Sequence, residues 1–234
     1  MDDLLAPLPQ RYVASDLDVD LGLTLPTGLH GLLDAMLSGW TRTSAASDRP
    51  QDITVSGEAS FTLTSPHYQS GRSYSDIVSI LNEVLVSLAY AVRHQRRDAA
   101  LIHAAGFAEG RKATVLFGAR KAGKSVMTAR KAAAGARIWA DDLLLWEARH
   151  QAFRGIGISP RLRRPVLPDI LSALDETSLI VGQYTCYIAA RAIDLAPAGT
   201  ILRPDHLMEL QADQTLQDIP LRDAMAEIGS HRIP

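Results

Sequence analysis

The chain of 234 residues has a single cysteine, Cys186. That excludes an internal disulfide and any metal site built from several cysteines, and it fits a reducing compartment. Aromatic residues make up only 6% of the chain and stand scattered, without the interleaved basic residues that a single-stranded nucleic-acid platform needs. Neither sign of charge dominates: the formal net charge is −2, which provides no general attraction to nucleic acid or to an anionic membrane. No apolar run reaches bilayer-spanning length. The most apolar segment, 78–86, is broken by Ser79, Asn82 and Glu83 and reads as a buried helix. The first ten residues are acidic and lack the basic-then-apolar order of a secretory signal. There is no internal repeat and no low-complexity tract. The expectation is a cytoplasmic protein with one sizeable core and no nucleic-acid or membrane partner. Oligomeric state stays open, a homo-oligomer included.

What the chain does have is concentrated between Phe117 and Asp142. Gly118, Gly123, Lys124 and Ser125 satisfy G-x-x-x-x-G-K-S, with Ala119, Arg120, Lys121 and Ala122 inside the loop and Val126 just after it. The apolar, β-branched stretch 113–117 before the loop reads as a buried strand. The stretch 125–134, rich in Ala, Lys, Arg and Met, reads as a helix, and Gly135 supplies its C-cap. Strand, glycine-rich loop and helix form the setting in which backbone N–H groups and a helix N-terminus converge on phosphate oxygens. In that setting Lys124 reaches the β/γ phosphates and the Ser125 hydroxyl is a ligand for Mg²⁺. Asp141 and Asp142 close the strand 138–140. One carboxylate of such a pair can hold the metal while the other takes a proton from an attacking hydroxyl. In a continuing strand the two would point to opposite faces. Upstream, His103 lies in a strand expected over 101–105.

A coarse pass places strands at 11–14 and 21–25, a helix at 29–40, a surface loop at 41–52 and a hairpin pairing 53–55 with 61–63. A loop at 69–71 precedes a long helix over about 75–93, with Ile77, Ile80, Leu81, Val84, Leu85 and Leu88 as one apolar stripe. One more strand is expected at 184–190. Short helices punctuated by proline follow from 191 onward, the clearest at 221–228. Residues 159–165 set Arg161, Arg163 and Arg164 between two prolines, a rigid basic loop suited to a triphosphate or an acidic acceptor. His30, His67, His94, His150, His206 and His231 show no metal-ligand spacing.

His103, the loop Gly118–Ser125, Gly135 and Ala140-Asp141-Asp142 resemble, in order and interval, the catalytic domains of the HPr kinase/phosphorylase family. Residues 153–158, Phe-Arg-Gly-Ile-Gly-Ile, are similar to that family's Arg-Gly-Leu-Gly element. The resemblance covers about residues 100 to 160. It implies an α/β fold shared with ATP-dependent phosphoenolpyruvate carboxykinases: a P-loop core with a mixed sheet over 100–234, and an N-terminal α+β region over 1–99 packed on it. It further implies ATP, Mg²⁺ and a serine hydroxyl on a protein or peptide as acceptor. Asp141 would be the general base, Asp142 and Ser125 would hold the metal, His103 would line the acceptor side, and Arg154 would contact phosphate. The family has glycine where Lys121 stands and a metal-binding acid where Ala152 stands, which brings Glu147 forward as a further ligand. No regulatory domain of the bifunctional enzymes is recognisable in 1–99, so the chain looks like the stand-alone members, some of which phosphorylate the terminal serine of lasso precursor peptides. The leading expectation is an ATP-dependent serine kinase. A small-molecule kinase and a non-catalytic nucleotide-binding scaffold are the alternatives.

Overall fold

The computed structural model describes residues 6–44, 51–68, 72–220 and 223–233. In chain order the elements are β1 (Pro7–Ala14), β2 (Val19–Pro26), α1 (Thr27–Ala35), β3 (Thr41–Ser44), β4 (Ile53–Ser56), β5 (Phe61–Thr64), β6 (Ser73–Tyr74) and α2 (Ile77–Gln95). Then follow β7 (Ala99–His103), β8 (Ala105–Glu109), β9 (Lys112–Phe117), α3 (Lys124–Ala133), β10 (Arg137–Ala140), β11 (Leu143–Glu147) and β12 (Ala152–Gly155). The chain closes with β13 (Arg161–Arg163), α4 (Pro168–Ala173), β14 (Leu179–Val181), β15 (Thr185–Ile188), β16 (Ile201–Leu202), β17 (His206–Leu210), β18 (Leu216–Asp218), α5 (Ala224–Ser230) and β19 (Arg232–Ile233). The architecture is mixed α/β.

An outer sheet runs β3-β1-β2-β4-β5-β6, a middle sheet β16-β12-β11-β7-β19, an inner sheet β10-β8-β9-β17-β18, and a small one β13-β15-β14. The helix α2 lies between the outer and middle sheets. Its N-cap Asp76 accepts a hydrogen bond from the Ser79 amide at 2.8 Å, which satisfies one of the unpaired first-turn donors. Although α2 is long and apolar enough to cross a membrane, most of its apolar window is buried inside the protein. The stripe expected there is buried except at its first member: Ile77 is 42% exposed, because it opens the helix at the rim.

Burial alternates along β5 with the period of the pleat, whereas β8, β9 and β11, covered on both faces, are buried over most of their length and send alternate side chains to different clusters. On β11, Leu145 joins the cluster around α2, whereas Leu144 and Trp146 point to the inner sheet. On β9, Val115 and Phe117 face the middle sheet and Leu116 faces the side of α3. The cluster around α2 combines residues before 99 with Leu101, Leu145, Ile156, Tyr187 and Ala198. Residues 1–99 and 100–234 therefore share a core.

Several expected elements change. Thr41–Ser44 is not loop but an edge strand paired with β1; residues 45–50 of that loop, and the 69–71 loop, lie outside the described residues. The single strand expected over 101–105 is two, because the chain leaves the middle sheet at His103 and enters the inner sheet at Ala105. The C-terminal part is less helical than its prolines suggest. It supplies β17, the parallel neighbour of β9, whose side chains carry little β signature and which is held by that distant strand and by a short hairpin with β18. Of the helix expected at 221–228, Ala224–Ser230 is formed, and residues 221–222 lie outside the described residues.

Where α2 ends, Glu147 is held between two arginines. Its Oε1 accepts from Arg96 Nη2 at 2.5 Å, and its Oε2 lies 2.8 Å from Arg154 Nε. Arg96 also donates to the Leu17 carbonyl at 2.7 Å, and Arg154 to the Gly199 carbonyl at 2.8 Å. A buried carboxylate between two guanidiniums is costly to break from one side. Glu147→Ala should lower unfolding free energy by about 3–5 kcal/mol, read from urea midpoints.

Candidate functional site

The chain crosses from one packed sheet to the other at two adjacent places. One is between β7 and β8, at Ala104; the other is between β10 and β11, at Asp141 and Asp142. Leu143 pairs with His103 across β11 and β7, so both crossings lie side by side. The strand has ended at the acid pair, which frees the two carboxylates to take different partners. Asp142 Oδ1 lies 2.6 Å from His103 Nε2. Asp141 is buried, with its Oδ2 accepting from the Arg161 amide at 3.1 Å, and it interacts with the Ser125 hydroxyl.

Burial pushes the Asp141 carboxyl up to about 6, helped by the negative charge of Asp142 and opposed by the Arg161 amide, the Arg161 charge and Ser125. Burial also acts upward on Asp142, but the His103 hydrogen bond and charge, with Arg161 and Lys124, hold it below the ordinary carboxylate range. Two neighbouring acids thus have opposite proton affinities, the arrangement that separates a base from a permanent anion. Burial lowers the proton affinity of Lys124, against the pull of Asp142 and Asp141.

The phosphate-loop sequence forms the expected turn at the carboxyl end of β9. Gly118 and Gly123 adopt φ of 147° and 103°, and a Cβ on Gly118 would come within 2.7 Å of the Leu210 carbonyl oxygen. Lys121 also sits in the left-handed region, at φ 72°, which explains why glycine suits this position; a side chain there costs about 1–2 kcal/mol. Ala119, Arg120 and Lys121 are exposed. Ala122 closes the turn, its amide donating to the Ala119 carbonyl at 3.1 Å. Among the described residues, nothing accepts from the amides of Lys124, Ser125 and Val126, and Gly123 makes no side-chain cap. Val126 contributes only its amide here, since its side chain packs on the cluster under α4. Lys124 Nζ donates to the Gly118 carbonyl at 2.7 Å and approaches that of Ala119 at 3.4 Å.

Gln214, in the turn between β17 and β18, donates from Nε2 to the Ala122 carbonyl at 2.5 Å. In a trans peptide the carbonyl and the following N–H point opposite ways. Anchoring the Ala122 oxygen therefore turns the Gly123 N–H away from Gln214.

Two residues are not where the sequence suggested. Arg154 shares the face of Leu145 and Glu147, toward α2, while the inner sheet with the glycine-rich loop lies on the opposite face. It is occupied by Glu147 and Gly199, so the arginine expected at phosphate is a packing residue. Glu147, in turn, is removed from any metal role by Arg96 and Arg154. Ala152 stands directly across from Glu147, where an acid would meet a second carboxylate.

The residues that replace them come from elsewhere. Arg161 Nη1 donates to Asn82 Oδ1 at 2.5 Å, and the Tyr187 hydroxyl donates to the same oxygen at 2.8 Å. These three, with Leu85, Val86, Leu143, Ile158, Ser159 and the acid pair, line a pocket of about 60 Å³. For a polar role of Arg161, Asn82 and Tyr187, the basic loop at 159–165 was the sequence signal, and it pointed to Arg161 alone.

Among the described residues, no group of three acidic, histidine or cysteine side chains is assembled for a metal. The oxygen donors of Ser125 and Asp142 nevertheless suit Mg²⁺, which takes few protein ligands and completes its shell with phosphate oxygens and water. A scan against protein-family models and a search of curated proteins find no match to this chain.

Asp141→Asn should raise the unfolding free energy by about 1–3 kcal/mol at pH 8, because an ionised carboxylate whose proton affinity is raised by burial opposes folding. The gain should be full above pH 6 and vanish below about pH 4, where the Asp141 carboxyl of the parent is protonated in the folded and the unfolded state alike. Urea midpoints at pH 8 and pH 4 test this.

Proposed function

We propose that the protein is an ATP-dependent phosphotransferase that places the γ-phosphate on a serine hydroxyl of a protein or peptide. The observation that carries this reading is the meeting of the unpaired amides at the start of α3, with Lys124 and Ser125, and a buried carboxylate of raised proton affinity, Asp141. Donors suited to phosphate and a base suited to a hydroxyl thus come close together at the start of α3. The likeness of the loop, His103 and the acid pair to HPr kinase/phosphorylase domains supports the same reading.

The amides of Lys124, Ser125 and Val126 take phosphate oxygens, and the Lys124 ammonium exchanges its loop carbonyls for the β and γ phosphates. Ser125 and Asp142 would hold Mg²⁺, which when bound neutralises charge on the phosphate oxygens. His103 keeps Asp142 oriented and anionic. The acceptor hydroxyl gives its proton to Asp141 as its oxygen bonds to the γ-phosphorus. The bond from that phosphorus to the β–γ bridging oxygen breaks, and ADP leaves with the electron pair. A base with a proton affinity near neutrality is well matched to this transfer.

Mg·ATP should raise the thermal midpoint of the parent and leave that of Lys124→Ala unchanged, since a ligand bound only by the folded state stabilises by mass action. An unchanged parent would reject the nucleotide site. Asp141→Asn should keep the shift yet lose transfer by about 10²–10⁴-fold, and parent turnover should fall as pH drops below 6. Gln214→Met, which cannot donate to Ala122, should weaken Mg·ATP by roughly threefold to tenfold with the maximal rate unchanged, measured by titration calorimetry and initial rates.

A further inference from the structure

The pocket beside the acid pair is lined by Asp141 and Asp142 but by none of residues 118–126. It therefore lies beside the carboxylates and apart from the loop, a place from which an acceptor hydroxyl can attack the γ-phosphorus in line. One wall comes from α2, through Asn82, Leu85 and Val86, and the other from Ile158, Ser159, Arg161 and Tyr187. Its volume of about 60 Å³ makes it a small site that is roomy enough for water or a short polar group.

Arg161 is fixed in that wall by Asn82, which takes Nη1. Among the described residues, nothing accepts from its Nε or Nη2, and neither atom is sealed from solvent. Those two nitrogens form one side of the guanidinium fork, the geometry that takes an oxygen with two lone pairs, or both oxygens of a carboxylate. Ser159, in the same wall, has a wholly buried hydroxyl with no partner, a group that adds hydrogen-bonding capacity behind the fork.

We infer that this pocket is the acceptor subsite and that Arg161 is its specificity residue. The ligand class it takes is a β-hydroxy carbonyl unit, with a CH₂OH directed at Asp141 and a carbonyl or carboxylate oxygen on the Arg161 fork. Such a unit has five non-hydrogen atoms and suits a small pocket better than the larger, rigid ring of a tyrosine does. The apolar side chains of Leu85, Val86 and Leu143 exclude water from the carbon atoms. The α2 helix thereby belongs to the acceptor site. This inference rests on the phosphotransfer reading for the role of Asp141, but the subsite binds its ligand without turnover.

The test is ligand-observed NMR on the full chain, with and without Mg·AMP-PNP, using N-acetyl-L-serinamide, N-acetyl-L-serine and N-acetyl-L-tyrosinamide as probes. Both serine probes should bind, and the tyrosine probe should not. Stronger binding of the acid assigns the fork to a carboxylate, and equal or stronger binding of the amide assigns it to a carbonyl. Arg161→Met should weaken the serine probes by about tenfold or more. Val86→Phe, which fills the pocket from α2, should abolish their binding while keeping the Mg·ATP thermal shift. Failure of both serine probes to bind the parent, or equal binding by Val86→Phe, overturns the subsite. Loss of the nucleotide shift in the parent instead rejects the phosphotransfer reading, and is read independently.

Discussion

The rest of the structure depends on keeping the Asp141 carboxylate out of water while it remains able to ionise. Two acids in succession at a junction of packed sheets repel each other and lose solvation together. The fold offsets this from every side. His103 takes Asp142, the Arg161 amide and the Ser125 hydroxyl take Asp141, and the charges of Lys124 and Arg161 act on both. The compensating groups come from three elements, β7, α3 and β13, so the site exists only where these meet the crossing between β10 and β11.

That convergence follows from the two crossings. Because β7 continues into β8 in another sheet, and β10 into β11, the middle and inner sheets are stitched at two neighbouring points. Side chains at such a seam are not committed to either sheet's alternation, and Asp141 and Asp142 can diverge in environment although they are adjacent in sequence. The same seam faces α2, and for this reason a helix from the first hundred residues can present Asn82 to Arg161, 79 residues away. The glycine-rich loop at 118–125 is supported from a comparable distance. Gln214 reaches Ala122 across 92 residues because β17 runs parallel to β9 and ends beside the loop.

The local parts of the site were legible in the sequence. Gly118, Gly123, Lys124 and Ser125 specify a turn and a helix start through glycine conformations and a helix-forming run, and the acid pair advertised itself by its distance from the loop. Arg154 misled because its neighbouring glycines resemble a phosphate-contacting element, whereas the pleat turns its side chain toward Glu147. His206–Leu210 were missed as a strand because a short strand with few β-branched residues is stabilised by its neighbours and not by its own preferences.

By itself, the sequence determined the strand–loop–helix unit, the length and buried face of α2, and the chemical identity of the acids, lysine and serine at one place in the chain. These are properties of spacing and of backbone preference, which act over a few residues. Tertiary structure alone decided which face each strand turned to the core, and so which arginine was held by Glu147 and which reached the acid pair. It also decided that Asn82 and Gln214 would serve residues far along the chain. Those choices rest on packing between sheets, and no local preference carries information about a partner that the chain meets only after it has folded.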